Sequence, residues 1–63
     1  MKRKELKNLA KRIAKLELTI QNSEDNYEIS QCEQEIIYLT GRVTSFEEID
    51  LLDEMIQEIL QKS

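Results

Sequence analysis

The sequence predicts a small all-α protein, and three of its features point to that fold class. Its 63 residues include no proline and one glycine, Gly41, while helix-forming residue types dominate. Three segments repeat apolar residues at alternating spacings of three and four, which places them on one side of a helix. Short turns make consecutive helices antiparallel, so we expect an up-down-up three-helix bundle, a single domain over residues 1–63 with helices at about 3–21, 24–41 and 46–61.

The first helix is predicted from a regular apolar stripe near the start of the chain. The stripe comprises Leu6, Leu9, Ile13, Leu16 and Ile20. Ala10 and Ala14 flank it, and their small side chains would let a neighbouring helix approach closely. This helix is therefore expected to contribute one wall of the core.

The second helix follows a polar segment, residues 21–26, that is rich in turn-forming and capping residues. Asn22 or Ser23 is the predicted N-cap. Gly41 is expected to end the helix in the left-handed conformation that glycine tolerates. The apolar stripe of this helix comprises Ile29, Cys32, Ile36, Leu39 and Val43.

The third helix is predicted to start at a capping box, in which the Ser45 hydroxyl and the Glu48 carboxylate satisfy unpaired backbone amides. Its stripe comprises Ile49, Leu52, Ile56 and Ile59, widened by Phe46, Met55 and Leu60. If the stripes form the core, replacing Ile36 or Leu52 by alanine should destabilise the fold by roughly 2–5 kcal/mol.

The composition argues against catalysis and against bound cofactors. Histidine, the commonest acid–base residue at neutral pH, is absent, and no phosphate loop, nucleophile elbow or metal motif surrounds the carboxylates. We therefore predict a non-enzymatic protein with no catalytic residue, no cofactor and no metal. The single cysteine, Cys32, is expected to be a small buried hydrophobe, with a redox sensor as the lesser alternative.

Charge is distributed very unevenly along the chain. Residues 1–16 carry seven lysines and arginines against one acid, a net charge of plus six, and the remainder carries minus ten, which leaves minus four overall. Cations at the start of a helix oppose its dipole, so another interaction should favour them. The basic start can face the acidic start of the third helix, where Glu47, Glu48 and Asp50 lie.

Two other interpretations of these charges remain open. The first is nucleic-acid binding, in which phosphates are contacted by Lys4, Lys7, Lys11 and Lys15. The second is docking onto a basic, nucleic-acid-binding protein through the acidic residues Glu47, Glu48, Asp50, Asp53, Glu54 and Glu58. No aromatic residue lies among the basic ones, so no stacking platform for single strands is expected.

Four apolar residues fall off the main stripes and form the candidate protein interface. They are Leu18, Ile37, Tyr38 and Leu51. Tyr27 and Tyr38 are expected to cover core edges with their rings while their hydroxyls face water. The leading functional prediction is a helical interaction module, a small accessory or regulatory protein that binds a protein partner or self-associates.

Three stretches resemble short uncharacterised proteins of tailed phages of marine cyanobacteria. They run from Lys2 to Ala14, from Glu33 to Thr40 and from Ile49 to Leu60. This resemblance implies a virus-encoded accessory protein and carries over no functional residue. No apolar run approaches the roughly 20 residues of a membrane span, and no signal-peptide core follows the basic start. The expected location is a reducing cytoplasm, that of the host cell if the protein is viral.

Overall fold

The computed structural model describes residues 2–62 as three α-helices, and no strand is present among these residues. Helix α1 spans Arg3–Asn22, α2 spans Asn26–Thr40 and α3 spans Phe46–Lys62. The predicted fold class, a small all-α three-helix bundle, is confirmed. Within the same part of the chain, no helix combines the length and the apolarity needed to cross a bilayer.

Helix α1 forms the centre of the bundle. Ala10 and Ala14 are completely inaccessible to solvent, and Ile13 is 1% exposed. The buried cluster comprises Leu6, Leu9, Ala10, Ile13 and Ala14 of α1 together with Val43, Leu52 and Ile56. Because most of these residues belong to α1, that helix supplies most of the core.

The other two helices pack on α1 rather than on each other. Both α2 and α3 make extensive contacts with α1, whereas α2 and α3 touch each other only marginally. Helix α2 has the smaller contact with α1 and contains no fully buried residue. Ile36 and Leu39 of α2 contact the core but are only partly buried. The apolar stripe of α2 is thus covered by α1 and only marginally by α3.

The residue that caps the start of α2 differs from the prediction. The N-cap of α2 is Asp25, whose Oδ1 accepts a hydrogen bond from the Tyr27 amide at 2.9 Å. Asn22 is instead the last residue of α1, and the Ser23 Oγ accepts from the Asp25 amide at 3.2 Å. The prediction of Asn22 or Ser23 was wrong because α1 continues for longer than expected and leaves only three residues for the turn.

Replacing Asp25 by alanine should destabilise the protein by about 1 kcal/mol, because the Tyr27 amide would lose its acceptor and α2 its N-terminal carboxylate. Thermal unfolding followed by circular dichroism measures the change. Asn22→Ala is the control, and we expect it to change stability by less than about half as much. Equal losses in the two variants would contradict the assignment of Asp25 as the cap.

The end of α2 also differs from the prediction. Gly41 has φ −65° and ψ −16°, which is right-handed backbone, so the left-handed termination predicted for it was wrong. The chain instead ends the helix in a tight turn, in which the Arg42 amide donates to the Leu39 carbonyl and the Val43 amide donates to the Thr40 carbonyl. This tight turn directs Val43 into the core, where it is 5% exposed although it lies beyond the helix.

Phe46 does not widen the apolar stripe of α3. It is 86% exposed, and Ile49, one turn later, is 42% exposed. The buried line of α3 begins only at Leu52, which is 3% exposed, and continues to Ile56. The first turn of α3 therefore extends past the edge of the core, and the expectation for Phe46 was wrong.

Candidate interaction surfaces

The outer side of α1 carries a basic stripe formed by Lys4, Lys7, Lys11 and Lys15. All four residues are exposed. Their spacings of three, four and four keep them on one side of the helix, opposite the residues that enter the core. The stripe is thus a continuous cationic surface about three turns long.

One edge of this basic stripe borders acidic residues of α3. Arg3 and Lys7 line a shallow groove together with Glu54 and Glu58. The prediction placed Glu47, Glu48 and Asp50 opposite the basic start, whereas the acids that share this groove lie about one to three turns further along α3. Basic and acidic helices do meet at this edge, which moderates the cationic field of α1 there.

A second contact between opposite charges joins α1 to α2. The Nη2 and Nε of Arg12 lie 2.7 Å and 2.8 Å from the same oxygen, Oε2 of Glu35. The two side chains are 50% and 40% exposed, so water screens much of their attraction. The pair links α1 to α2 and contributes little to the stability of the fold.

A double-mutant cycle with Arg12→Ala and Glu35→Ala should give a coupling energy below about 1 kcal/mol, the range found for exposed ion pairs. Urea unfolding of the two single variants and the double variant measures it. The coupling should shrink further in 1 M salt, where the screening length falls to about 3 Å. A coupling of several kcal/mol that persists in salt would show that the pair is shielded from solvent.

The outer side of α3 is acidic, although it is smaller than predicted. Of the six acids proposed for this surface, Glu48 is partly buried. The exposed members are Glu47, Asp50, Asp53, Glu54 and Glu58. Helix α3 thus presents negative charge on the side away from the core, as α1 presents positive charge.

The outer side of α2 differs from both because a strip along its centre carries no charge, with the exposed acids Glu28 and Glu33 at its edges. It is composed of six exposed residues, Tyr27, Ser30, Gln31, Gln34, Ile37 and Tyr38, which we call the uncharged face of α2. Tyr27 is 73% exposed, and Ile37 and Tyr38 are each 70% exposed. The prediction that the two tyrosine rings cover core edges was therefore wrong. In a chain with 35% charged residues, this face stands out by composition.

The four residues predicted as a protein interface lie in three different places. Ile37 and Tyr38 belong to the uncharged face of α2. Leu18 is partly buried beside Lys15 and Glu28 at the end of the molecule near the α1–α2 turn. Leu51 is partly buried, packs against the core and lines the groove between α1 and α3. The structure therefore brings together only the first two.

Ser30, Gln31 and Gln34 were not singled out from the sequence, and Tyr27 was expected at a core edge. None of these four residues belongs to the apolar stripe of α2. The signal that identifies them is the absence of lysine, arginine, aspartate and glutamate at every exposed position along one side of a helix. That signal becomes visible only once the buried side of α2 is known.

Cys32 is a free thiol on the partly covered side of α2, between Ile29 and Ile36. It is partly buried rather than buried, like every other residue of the apolar stripe within α2. Within residues 2–62, no three cysteine, aspartate or glutamate side chains are grouped so that they could hold a metal ion.

Comparison with known proteins gave no match, whether against protein-family models, curated proteins or solved structures.

Proposed function

We propose that this chain is a non-enzymatic helical interaction module that binds protein through the uncharged face of α2. The observation that carries the proposal is the exposure of Tyr27, Ile37 and Tyr38 on a side of α2 with no charged residue. Tyrosine is enriched at protein interfaces, whereas lysine and glutamate are depleted there. The composition of this face therefore resembles that of a protein interface more than that of an ordinary solvent-exposed helix face.

The physical chemistry of these side chains supports protein binding. A tyrosine ring buries a large apolar area and loses little conformational entropy, because it has two side-chain torsions. Ile37 adds apolar area beside Tyr38. Gln31, Gln34 and Ser30 supply hydrogen-bond donors and acceptors that can adapt to a partner. Burying the six residues of this face therefore desolvates none of the charged side chains of α2.

Site-specific photo-cross-linking tests the proposal. Tyr38 is replaced by p-benzoylphenylalanine in cells that express the chain, which are then irradiated. We expect a discrete covalent protein adduct whose mass and peptide composition identify the bound protein. The matched control carries the same photoreactive residue at Gln57, on the exposed acidic side of α3. An adduct at position 57 with none at position 38 would overturn the proposal.

A second candidate function is nucleic-acid binding through the basic stripe of α1, favoured by the exposure of all four lysines on one side of the helix. Four phosphate contacts give a slope of log affinity against log salt of about −3 to −4 for duplex DNA. Because the whole chain carries minus four, the acidic helix α3 opposes such binding at long range.

Fluorescence anisotropy with labelled duplex and single-stranded oligonucleotides measures this candidate function. Binding that decays with this slope, and disappears when Lys4, Lys11 and Lys15 are changed to glutamine, would establish it. Lys62→Gln is the matched control, since Lys62 lies at the end of α3. Binding that survives the triple change would exclude the basic stripe as the contact surface.

The cellular context belongs to the same proposal. The resemblance to short cyanophage proteins supports an accessory role in the cytoplasm of an infected cell. This role stays a prediction, and so does the docking of the acidic side of α3 onto a basic protein. A bound protein identified by photo-cross-linking would locate the chain in a cell more directly than the sequence does.

A further inference from the structure

We propose that the uncharged face of α2 binds the same face of a second copy of this chain, with the two α2 helices antiparallel. This inference rests on the proposed function and names the partner. Its basis is the arrangement of four residues within the face, Tyr27, Gln31, Gln34 and Tyr38, which we call the Tyr–Gln stripe.

The Tyr–Gln stripe is a palindrome. Its residues are spaced by four, three and four positions, and the order tyrosine, glutamine, glutamine, tyrosine is the same in both directions. In a regular helix these positions fall within an arc of about 60°, and the two tyrosines are about 16 Å apart along the axis. All four side chains are exposed. The alternation of three and four is also the spacing of a helix–helix seam.

Because the stripe is a palindrome, like residues also meet when two helices pair antiparallel, whereas a stripe without this symmetry matches like with like only in the parallel orientation. A twofold dimer uses the same surface on both subunits, so residue i of one copy contacts residue j of the other and the reverse. With the twofold axis between Gln31 and Gln34, Tyr27 of each copy faces Tyr38 of the other. The two glutamines then face each other across the axis. Tyrosine rings thus pack on rings, and amides hydrogen-bond to amides.

The charges at the two ends of α2 favour the same orientation. Glu24 and Asp25 precede the helix, whereas Arg42 follows it, and all three residues are exposed. Antiparallel pairing brings Arg42 of each copy to the level of Glu24 of the other. Parallel pairing would instead set the acidic starts of both helices side by side. Among these end charges, antiparallel pairing therefore sets opposite signs at the same level, whereas parallel pairing sets like signs together.

The size of the surface sets the expected strength of the dimer. A contact limited to one helix of 15 residues lies at the small end of specific interfaces, below about 1,200 Å² in total. We therefore expect a dissociation constant on the order of 10–100 µM. Each copy carries minus four, so the two copies repel at long range, and added salt should strengthen the dimer by screening.

Sedimentation equilibrium of the purified chain from about 10 µM to 1 mM tests self-association, with the concentration range chosen around the expected constant. We expect reversible dimerisation that strengthens from low to physiological salt and weakens at least tenfold in Tyr38→Ser. Phe46→Ser is the matched control, because Phe46 is an exposed aromatic residue outside the face. A chain that stays monomeric throughout, or a Tyr38→Ser variant that dimerises as well as the control, would overturn the inference.

Cysteine cross-linking tests the antiparallel register. Gln31→Cys and Gln34→Cys are each made in a Cys32→Ser background, mixed, and oxidised with copper phenanthroline. Antiparallel pairing predicts that the mixed disulfide between the two variants predominates. Predominance of the two symmetric disulfides would show parallel pairing and contradict the inference. Circular dichroism of each variant confirms that helix content is unchanged, since both glutamines are exposed.

The photo-cross-linking experiment separates this inference from the proposed function. An adduct at Tyr38 with twice the mass of the chain supports both. An adduct with a different protein, accompanied by a monomeric purified chain, leaves the interaction module in place and overturns the second copy as its partner. The absence of any adduct at Tyr38 overturns both.

Discussion

Replacing Ile13 by alanine is expected to destabilise the protein by about 3–4 kcal/mol, a large loss for a single truncation. Ile13 is 1% exposed at the centre of α1, where it belongs to the buried cluster that also contains Leu52 and Ile56. Removing three methyl or methylene carbons there forfeits their transfer free energy and leaves a cavity between three helices. Urea unfolding followed by circular dichroism at 222 nm measures the loss.

The same substitution at Ile37 is the matched control for Ile13→Ala. Ile37 is 70% exposed, so Ile37→Ala should change the stability of the monomer by less than about 0.5 kcal/mol. Ile36→Ala, at a partly buried position, should fall between the two. A 63-residue domain has only about 3–9 kcal/mol of stability in total, so Ile13→Ala should leave it close to unfolding. Similar losses at positions 13 and 37 would contradict the central position of α1.

Enlarging Ala14 to leucine is expected to cost about 2–3 kcal/mol through overpacking. Ala14 has no solvent-accessible surface, because the neighbouring helices approach α1 closely at this small residue. A leucine side chain there would have to displace a helix or adopt a strained rotamer. Thermal unfolding should show a midpoint lowered by roughly 10 °C or more, since about 1 kcal/mol shifts a domain of this size by 4–8 °C.

Asn8→Leu provides the control for the leucine substitution. Asn8 is exposed on α1, and leucine has the higher helix propensity, so this variant should be as stable as the wild type or slightly more stable. Ala14→Ser tests the same site with a smaller side chain and should cost less than Ala14→Leu. Unchanged stability in Ala14→Leu would mean that the helices do not meet at this residue.

The outer sides of the three helices differ in charge, and this difference predicts how each surface responds to salt. The side of α1 is basic, that of α3 is acidic and that of α2 is uncharged. The salt response therefore distinguishes the possible partners. Salt weakens contacts made by the basic stripe, whereas it strengthens self-association through the uncharged face of α2. One salt titration of each binding reaction assigns it to a surface.

Local sequence determined much of this protein. Its three helices, the apolar stripe of α1 and the separation of basic from acidic segments follow from residue spacing and composition, which act within a few residues of each position. Leu6, Leu9 and Ile13 were predicted as core residues for this reason, and each is buried. The capping residue of α2 was predicted wrongly, because several polar residues in one turn can cap a helix and only the backbone path selects among them. The conformation of Gly41 was also predicted wrongly, because glycine permits the left-handed conformation without requiring it.

Tertiary structure alone decided how fully each stripe is buried. The stripes of α1 and α2 have the same three-four spacing, yet the first is buried from Leu6 to Leu16 and partly buried only at Ile20, whereas the second contains only partly buried residues within the helix. The physical reason is the extent of the cover: two helices pack on α1, whereas α2 contacts α1 less extensively than α3 does. Periodicity shows which side of a helix turns inward, but not how many helices cover it. For the same reason, only the packed structure revealed the uncharged face of α2.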